Sequence, residues 1–235
     1  IMLGIIGAMD VEVANIKAKV KDAVETEIAG ITFVCGTIDN VMVAVVQCSP
    51  GKVNAALCTQ IMIDTFKPDA IINVGVGCSL SSDVVIKNVV IATDVCEYDI
   101  DITALGEPRG FINGLNVIKV ETDREISETL SQCAIRCGEK IHRGTVASGD
   151  TFIASQELKD LISTEFNAIC GEMEGGAIGH TCKANGVPFA VLRSISDGGD
   201  ANAQMDYPTF KMIAAKISTD IILDFIKTQK TQFEL

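Results

Sequence analysis

The sequence predicts one α/β domain with a largely parallel or mixed central sheet, and two observations carry that prediction. Short β-rich apolar runs alternate with longer stretches of helical apolar spacing along the whole chain. The 235 residues, 48% hydrophobic and 21% charged, are enough to bury a full core. No repeat, low-complexity tract or linker divides them, so residues 1–235 are expected to form a single domain.

The elements follow in order. Leu3 to Ala8 is an apolar run that reads as the first strand. Val13, Ile16 and Val20 recur at helical spacing and predict a helix over Asp10 to Val20, with acidic residues at its positive end. Ile28 to Ile38 and Val41 to Cys48 flank Asp39-Asn40, a pair that suits a hairpin turn. A helix from Lys52 to Phe66 stops before Pro68. Ala70 to Val76 and Val85 to Asp94 read as interior strands, with Gly75 to Ser79 as a glycine-rich turn between them. Tyr98 to Leu115, with Pro108 and three glycines, reads as a long loop. A helix from Asp123 to Cys137 follows. Strands at Thr145 to Ser148 and Ala168 to Gly171 enclose a helix that opens near Ser155, and a further helix starts at Glu174. The last strand is Phe189 to Ile195, and an amphipathic helix from Pro208 to Ile226 closes the pattern.

Composition narrows the function. With 31 acidic and 19 basic residues the net charge is −12, which repels phosphate backbones and anionic lipid head groups. Nucleic acid and membrane are therefore poor partners. The apolar Ile1 to Met9 lacks a basic flank and a small-residue cleavage site, so it reads as a strand and not a signal peptide. No stretch reaches about 18 uninterrupted apolar residues, so no membrane span is expected. The nine cysteines are odd in number, form no Cys-x-x-Cys pair and mostly lie in apolar runs (Cys35, Cys58, Cys96, Cys170). They read as buried free thiols of a reducing, cytoplasmic compartment. Cys133 and Cys137 have helical i, i+4 spacing, yet no nearby histidine completes a metal site, and no metal or cofactor is expected.

In open α/β sheets ligands bind beyond the carboxyl ends of strands. Four such places carry suitable side chains: Met9 to Glu12, Gly75 to Ser79, Gly171 to Glu174, and Ser196-Asp197. Each acid has an ordinary alternative, since Glu12 and Glu174 suit helix N-termini and Asp197 suits a turn before Gly198-Gly199. Taken together they fit glycosidic cleavage, which needs a proton donor for the leaving base and a base for the attacking water, without a metal or covalent nucleophile.

Five stretches carry a resemblance over nearly the whole chain: Gly4 to Met9 with Glu12, Gly51 to Ala56, Ser148 to Ile153, Glu172-Met173-Glu174, and Arg193 to Asp197. In this the chain resembles the 5′-methylthioadenosine/S-adenosylhomocysteine nucleosidases of the purine nucleoside phosphorylase and uridine phosphorylase superfamily. The resemblance implies a three-layer α/β/α fold with a mixed central β-sheet, an adenine nucleoside substrate, no cofactor, a homodimer, and a place in methionine salvage. It implies that Glu12 activates the attacking water and that Asp197, aided by Ser196, protonates N7 of the leaving adenine. Glu174 would bind the ribose hydroxyls, with Met173 along the sugar. Phe152 would stack on the purine, and backbone groups of Phe152 and Ile153 would read its edge. Arg193 corresponds to an arginine beside the water site, and Met9, Glu172 and Tyr207 fall among the pocket residues.

The chain departs from the family in three places. Val76 stands where a serine lies near ribose and water, Pro50 stands for an isoleucine of the 5′ pocket, and Glu107 replaces an aromatic residue in the loop of Ile102 and Leu105. That loop would reach the partner subunit's site in the dimer, with Glu107 either favouring the charged amino acid end of S-adenosylhomocysteine or, the preferred reading, pointing to water. Three rivals share this pattern. A phosphorylase would need a cationic phosphate cradle, which the segments around residues 10–20 and 75–79 lack. A silent nucleoside-binding protein would not need all three acids. Hydrolysis of another 5′-substituted adenosine, or of futalosine, would use the same residues.

Overall fold

A computed structural model of the chain describes residues 1–231. In order they form β1 (Met2–Gly7), α1 (Asp10–Lys17), β2 (Lys21–Ile28), β3 (Ile31–Ile38), β4 (Val41–Gln47), α2 (Lys52–Phe66), β5 (Ala70–Ser79) and β6 (Val89–Glu97). There follow β7 (Lys119–Glu121), α3 (Arg124–Arg136), β8 (Ile141–Ser148), α4 (Gln156–Phe166), β9 (Ala168–Glu172), α5 (Gly175–Asn185), β10 (Phe189–Asp197) and α6 (Ala203–Thr231). All the strands join one mixed sheet in the order β10, β6, β8, β9, β5, β1, β4, β3, β2, with β7 alongside β6. Because β10 pairs with β5 as well as with β6, one end of the sheet closes on itself. From β5 the remaining strands fan out as an open sheet, β1 parallel to both β5 and β4.

Strand periodicity builds the layers. Successive side chains point to opposite faces, so Leu3 and Ile5 of β1 and Val43 and Val45 of β4 pack with Val13, Ile16, Leu130, Ile221 and Phe225 of α1, α3 and α6. Their neighbours Ile6, Ala44 and Val46 face the other way, against Ala55, Cys58 and Met62 of α2 and Ile178 and Cys182 of α5. The result is helices, sheet, helices in three layers, as expected. Each fully buried large aliphatic side chain contributes about 1.5–3 kcal/mol to this arrangement.

Local chemistry fixes several joints as anticipated. Asp39 and Asn40 both adopt positive φ, 47° and 66°, the geometry of a tight two-residue hairpin turn between Ile38 and Val41. Asp123 caps α3 through a 2.9 Å bond from Ile126 N–H, and Ser155 caps α4 through a 3.2 Å bond from Leu158 N–H. Seven of the nine cysteines are buried free thiols, while Cys35 is half-buried and Cys137 exposed.

Other boundaries differ. The first helix ends at Lys17 rather than Val20, and Lys21–Ile28 is a strand that the sequence disguises. It is the sheet's edge, paired only with β3, and its exposed Lys21, Asp22, Glu25 and Glu27 give it a polar composition that discourages further pairing. Gly75 to Ser79 is not a turn but the continuation of β5. Its glycines serve close approach: a Cβ on Gly75 would lie 2.6 Å from Glu12 Oε1, and one on Gly77 would lie 2.7 Å from Cys170 Sγ. β6 is shifted to Val89–Glu97, β8 begins at Ile141, and the short β7 is added. The last helix begins at Ala203, with Pro208 inside it. Proline removes one backbone donor there without ending the helix. No described helix is long and apolar enough to cross a membrane.

Candidate active site

The four strand-end stretches singled out in the sequence converge on one cavity of about 560 Å³, its open mouth included. Ala8, Met9 and Glu12 come from the end of β1 and the first turn of α1, and Val76, Gly77 and Cys78 from β5. Gly171 and Glu172 end β9, with Met173 and Glu174 directly after it, and Ser196 and Asp197 end β10. Pro50, the segment Thr151 to Ile153, and Tyr207 of α6 complete the wall.

Glu12 is held from three sides. Its Oε2 accepts from the backbone N–H of Ala8 at 2.7 Å and of Met9 at 2.9 Å, and its Oε1 accepts from Val76 N–H at 3.0 Å. The missing side chain of Gly75 leaves room for this carboxylate. Burial pushes its pKa up from the usual carboxylate value, against the Arg193 charge and the three N–H groups, which favour the anion. Two of the four lone pairs sit on Oε2 and both are engaged, so Oε1 retains the one free acceptor position.

Asp197 has sparser company. Its Oδ1 accepts from Gly199 N–H at 3.0 Å, and its Oδ2 lies 2.8 Å from Ser196 Oγ. Ser196 Oγ also lies 3.3 Å from the Gly77 carbonyl. A hydroxyl carries one proton and can turn, so by donating to Gly77 it becomes an acceptor for a protonated Asp197. Burial raises the pKa of Asp197, with Asp206 and Asp200 adding to the rise and the bonds from Ser196 and Gly199 opposing it.

Near Glu12 lies a buried arginine. Arg193 is 1% exposed, and its Nη2 donates to Glu172 Oε2 and to Asn73 Oδ1 and lies 3.9 Å from Glu174 Oε2. Burial works against its charge, but Glu172, Glu174 and Glu12 outweigh that and hold it cationic. Glu172 also accepts from the N–H groups of Glu174 at 3.0 Å and Gly175 at 2.7 Å, and its other oxygen meets Ser148 Oγ. Glu174 Oε1 accepts from Gly51 N–H at 3.0 Å. Burial first, then the Glu172 charge, raise the Glu174 carboxyl to about 8.

The aromatic wall is Phe152, 43% exposed at the mouth, set edge to face with Tyr207 at 5.4 Å. Tyr207 Oη lies 3.0 Å from Met9 Sδ. Of the residues expected at the site, Met9, Glu12, Pro50, Val76, Phe152, Ile153, Glu172, Met173, Glu174, Ser196, Asp197 and Tyr207 line this cavity. Arg193 does not; it lies beneath the floor and touches the carboxylates instead of the open space. Ile102 and Leu105 also stand apart, beside and within a short 3-10 turn at Thr103–Leu105, with Leu105 82% exposed. Cys78 and Thr151 on the wall and Ser148 behind it lay within stretches singled out in the sequence without being given a role, and Asn73 was overlooked.

The sheet closes on itself at one end and places acids at the carboxyl ends of its strands around one cavity, the layout of an α/β enzyme. Residues 2–227 match the Phosphorylase superfamily, and the chain belongs to that superfamily. The 5′-methylthioadenosine/S-adenosylhomocysteine nucleosidase of Staphylococcus carnosus is 37% identical over 229 residues, 97% of this chain and 100% of the relative. The solved Helicobacter pylori nucleosidase of the same name, with butyl-thio-DADMe-Immucillin-A, has a TM-score of 0.93 at 33% identity, covering 97% of this chain and 98% of that one. Futalosine hydrolase of Helicobacter pylori strain 26695 has a TM-score of 0.92 at 32% identity, covering 97% of each chain. Within the superfamily the protein is thus an N-glycosyl hydrolase, a nucleosidase.

Proposed function

We propose that the protein hydrolyses the N-glycosidic bond of 5′-methylthioadenosine and S-adenosylhomocysteine, releasing adenine and the 5-thioribose product. The observation that carries this reading is the pairing of Glu12 and Asp197 on one cavity in opposite hydrogen-bond environments. Asp197, with a raised pKa and a hydroxyl able to accept its proton, is the acid that protonates N7 of the departing adenine. Glu12, all its bonds coming from N–H donors, takes a proton from the attacking water at the free position on Oε1. Glu174 binds the ribose hydroxyls, and the charges of Glu12 and Glu172 offset the positive charge that develops on the ribose ring. Phe152 and Ile153 receive the purine, with Met173 along the sugar, and Pro50 and Tyr207 border the 5′ substituent.

Water rather than phosphate as nucleophile is supported by the wall itself, which carries no lysine or arginine. Arg193, the nearest cation to the acids, is already committed to Glu172 and Asn73. The likeness to a futalosine hydrolase favours futalosine as a second substrate, cleaved by the same residues. We further propose a homodimer in which Ile102 and Leu105 border the partner's cavity. The exposed apolar Leu105 and Val53, 82% and 77% accessible, support such a contact.

Adenine or hypoxanthine release, followed with and without phosphate from methylthioadenosine, S-adenosylhomocysteine, adenosine and futalosine, tests the reading. Phosphate-independent release from the thioethers is expected. Release that requires phosphate would make the protein a phosphorylase, and release from futalosine alone would replace the thioether assignment. Sedimentation showing a fully active monomer would remove the dimer.

A further inference from the structure

Outside the cavity, one cation ties together the two walls that a nucleoside would bridge. Lys52 opens α2 directly after Gly51, the residue whose N–H holds Glu174 Oε1. The backbone N–H of Lys52 donates to Asp150 Oδ1 at 2.7 Å, and Asp150 leads into the segment that carries Phe152 and Ile153. The ammonium group, on a side chain 16% exposed, lies 2.6 Å from Asp99 Oδ1 and 2.9 Å from Glu97 Oε2. Asp99 returns to the same segment, its Oδ2 accepting from Asp150 N–H at 2.9 Å.

The clasp has little slack. Gly51 has φ 103°, and a Cβ there would lie 3.1 Å from Asp150 Oδ1, so the start of α2 sits directly against the loop. The second oxygen of Glu97 meets His180 Nδ1 at 2.9 Å. Burial opposes ionisation of Glu97, but the bonds from His180 and Lys52 outweigh it and hold the carboxyl below its ordinary range. An exposed lysine pair would contribute little. This one is largely enclosed and joins three chain segments far apart in sequence: the start of α2, the end of β6 and the loop after β8.

We propose that Lys52 is a positioning residue, which through Asp99 and Asp150 sets the separation between Glu174 and the wall of Phe152 and Ile153. The inference rests on the reading of the cavity as a nucleoside site. It makes ligands that span both walls sensitive to Lys52 and ligands that touch one wall insensitive. Methylthioadenosine would span both, and adenine would touch only the purine wall.

The test measures the binding of both compounds by calorimetry in an Asp197→Asn background, where turnover is suppressed. Adding Lys52→Met is expected to weaken methylthioadenosine about tenfold and adenine less than about twofold, since small displacements of a positioned group carry costs of this order or more. Lys52→Arg, which keeps the charge, is expected to restore most of the affinity. Asp99→Asn, a change of one atom, provides the same split if Lys52→Met does not fold. Equal weakening of both ligands, or no weakening of either, would overturn the positioning role alone. A protein with Lys52 intact that binds neither compound would overturn the nucleoside reading and this inference with it.

Discussion

At one end of the cavity Glu12, Glu172 and Glu174 gather around a guanidinium buried beneath them; at the other, Asp197 has no ion-pair partner among the described residues. The first group is bound mainly by N–H donors, which cannot accept a proton, whereas Asp197 faces a hydroxyl that can donate or accept. Burial raises Glu12, Glu174 and Asp197 alike. What separates them is the company each carboxyl keeps once it is buried. One chemical group can then serve as base and as acid on the same cavity.

The sharpest way to break that contrast is to neutralise its two poles in turn. Glu12→Gln and Asp197→Asn are each expected to lower kcat about a thousandfold with folding intact. Activity in the unaltered protein should rise with pH as Glu12 ionises and fall at higher pH as Asp197 loses its proton. Both limbs lie above the ordinary carboxylate range because both groups are raised. The pH profile of residual activity should therefore lose its acid limb in Glu12→Gln and its alkaline limb in Asp197→Asn. If the limbs exchanged, the assignment of base and acid would be reversed.

Arg193→Met tests the cationic side. It leaves the buried Glu172 without its ion pair and Glu12 and Glu174 without a neighbouring positive charge, and is expected to cost about 3–5 kcal/mol in denaturant unfolding. Combining it with Glu172→Gln should recover part of that loss; an unchanged midpoint in the single variant would show that the arginine does not support this end. Gly75→Ala is gentler on the fold and more local. The added Cβ would lie 2.6 Å from Glu12 Oε1, so the carboxylate must move off Val76 N–H. About a hundredfold loss in kcat/KM is expected, with the alkaline limb unmoved because Asp197 is untouched.

Much of this arrangement was legible in the sequence, for reasons visible in particular residues. The apolar runs of β1 and β4, the Asp39-Asn40 turn and the helix starts near Asp123 and Ser155 are local signals, and each acts where it is read. The acids Glu12, Glu174 and Asp197 stood out because they follow apolar runs, and the position of strand ends is a topological rule rather than a fact about any one contact. What stayed hidden depends on distant partners. β2 is a strand because β3 offers it an edge, not because Lys21 to Ile28 looks like one. Gly75 and Gly77 imitate a turn until Glu12 and Cys170 are seen filling the space they leave. Arg193 was associated with the cavity, yet its place beneath the floor is set by Asn73, 120 residues away.

The smallest expected effect concerns stability. The Glu174 carboxyl is raised from 4.5 to about 8. Between those values the folded protein holds a proton that the unfolded chain has released, so stability is greatest below the lower value and is lost as pH rises through the higher one. Glu174→Gln removes that slope while keeping an acceptor for Gly51 N–H. Thermal midpoints of the two proteins should agree near about pH 4 and separate as pH rises towards about 9, the variant being the more stable there. The same substitution should weaken binding of a ribose-bearing ligand while leaving adenine unaffected. A midpoint difference that stayed constant with pH would mean that Arg193 already neutralises Glu174 in full, and the contrast between the two ends would then lie in charge balance rather than in protonation.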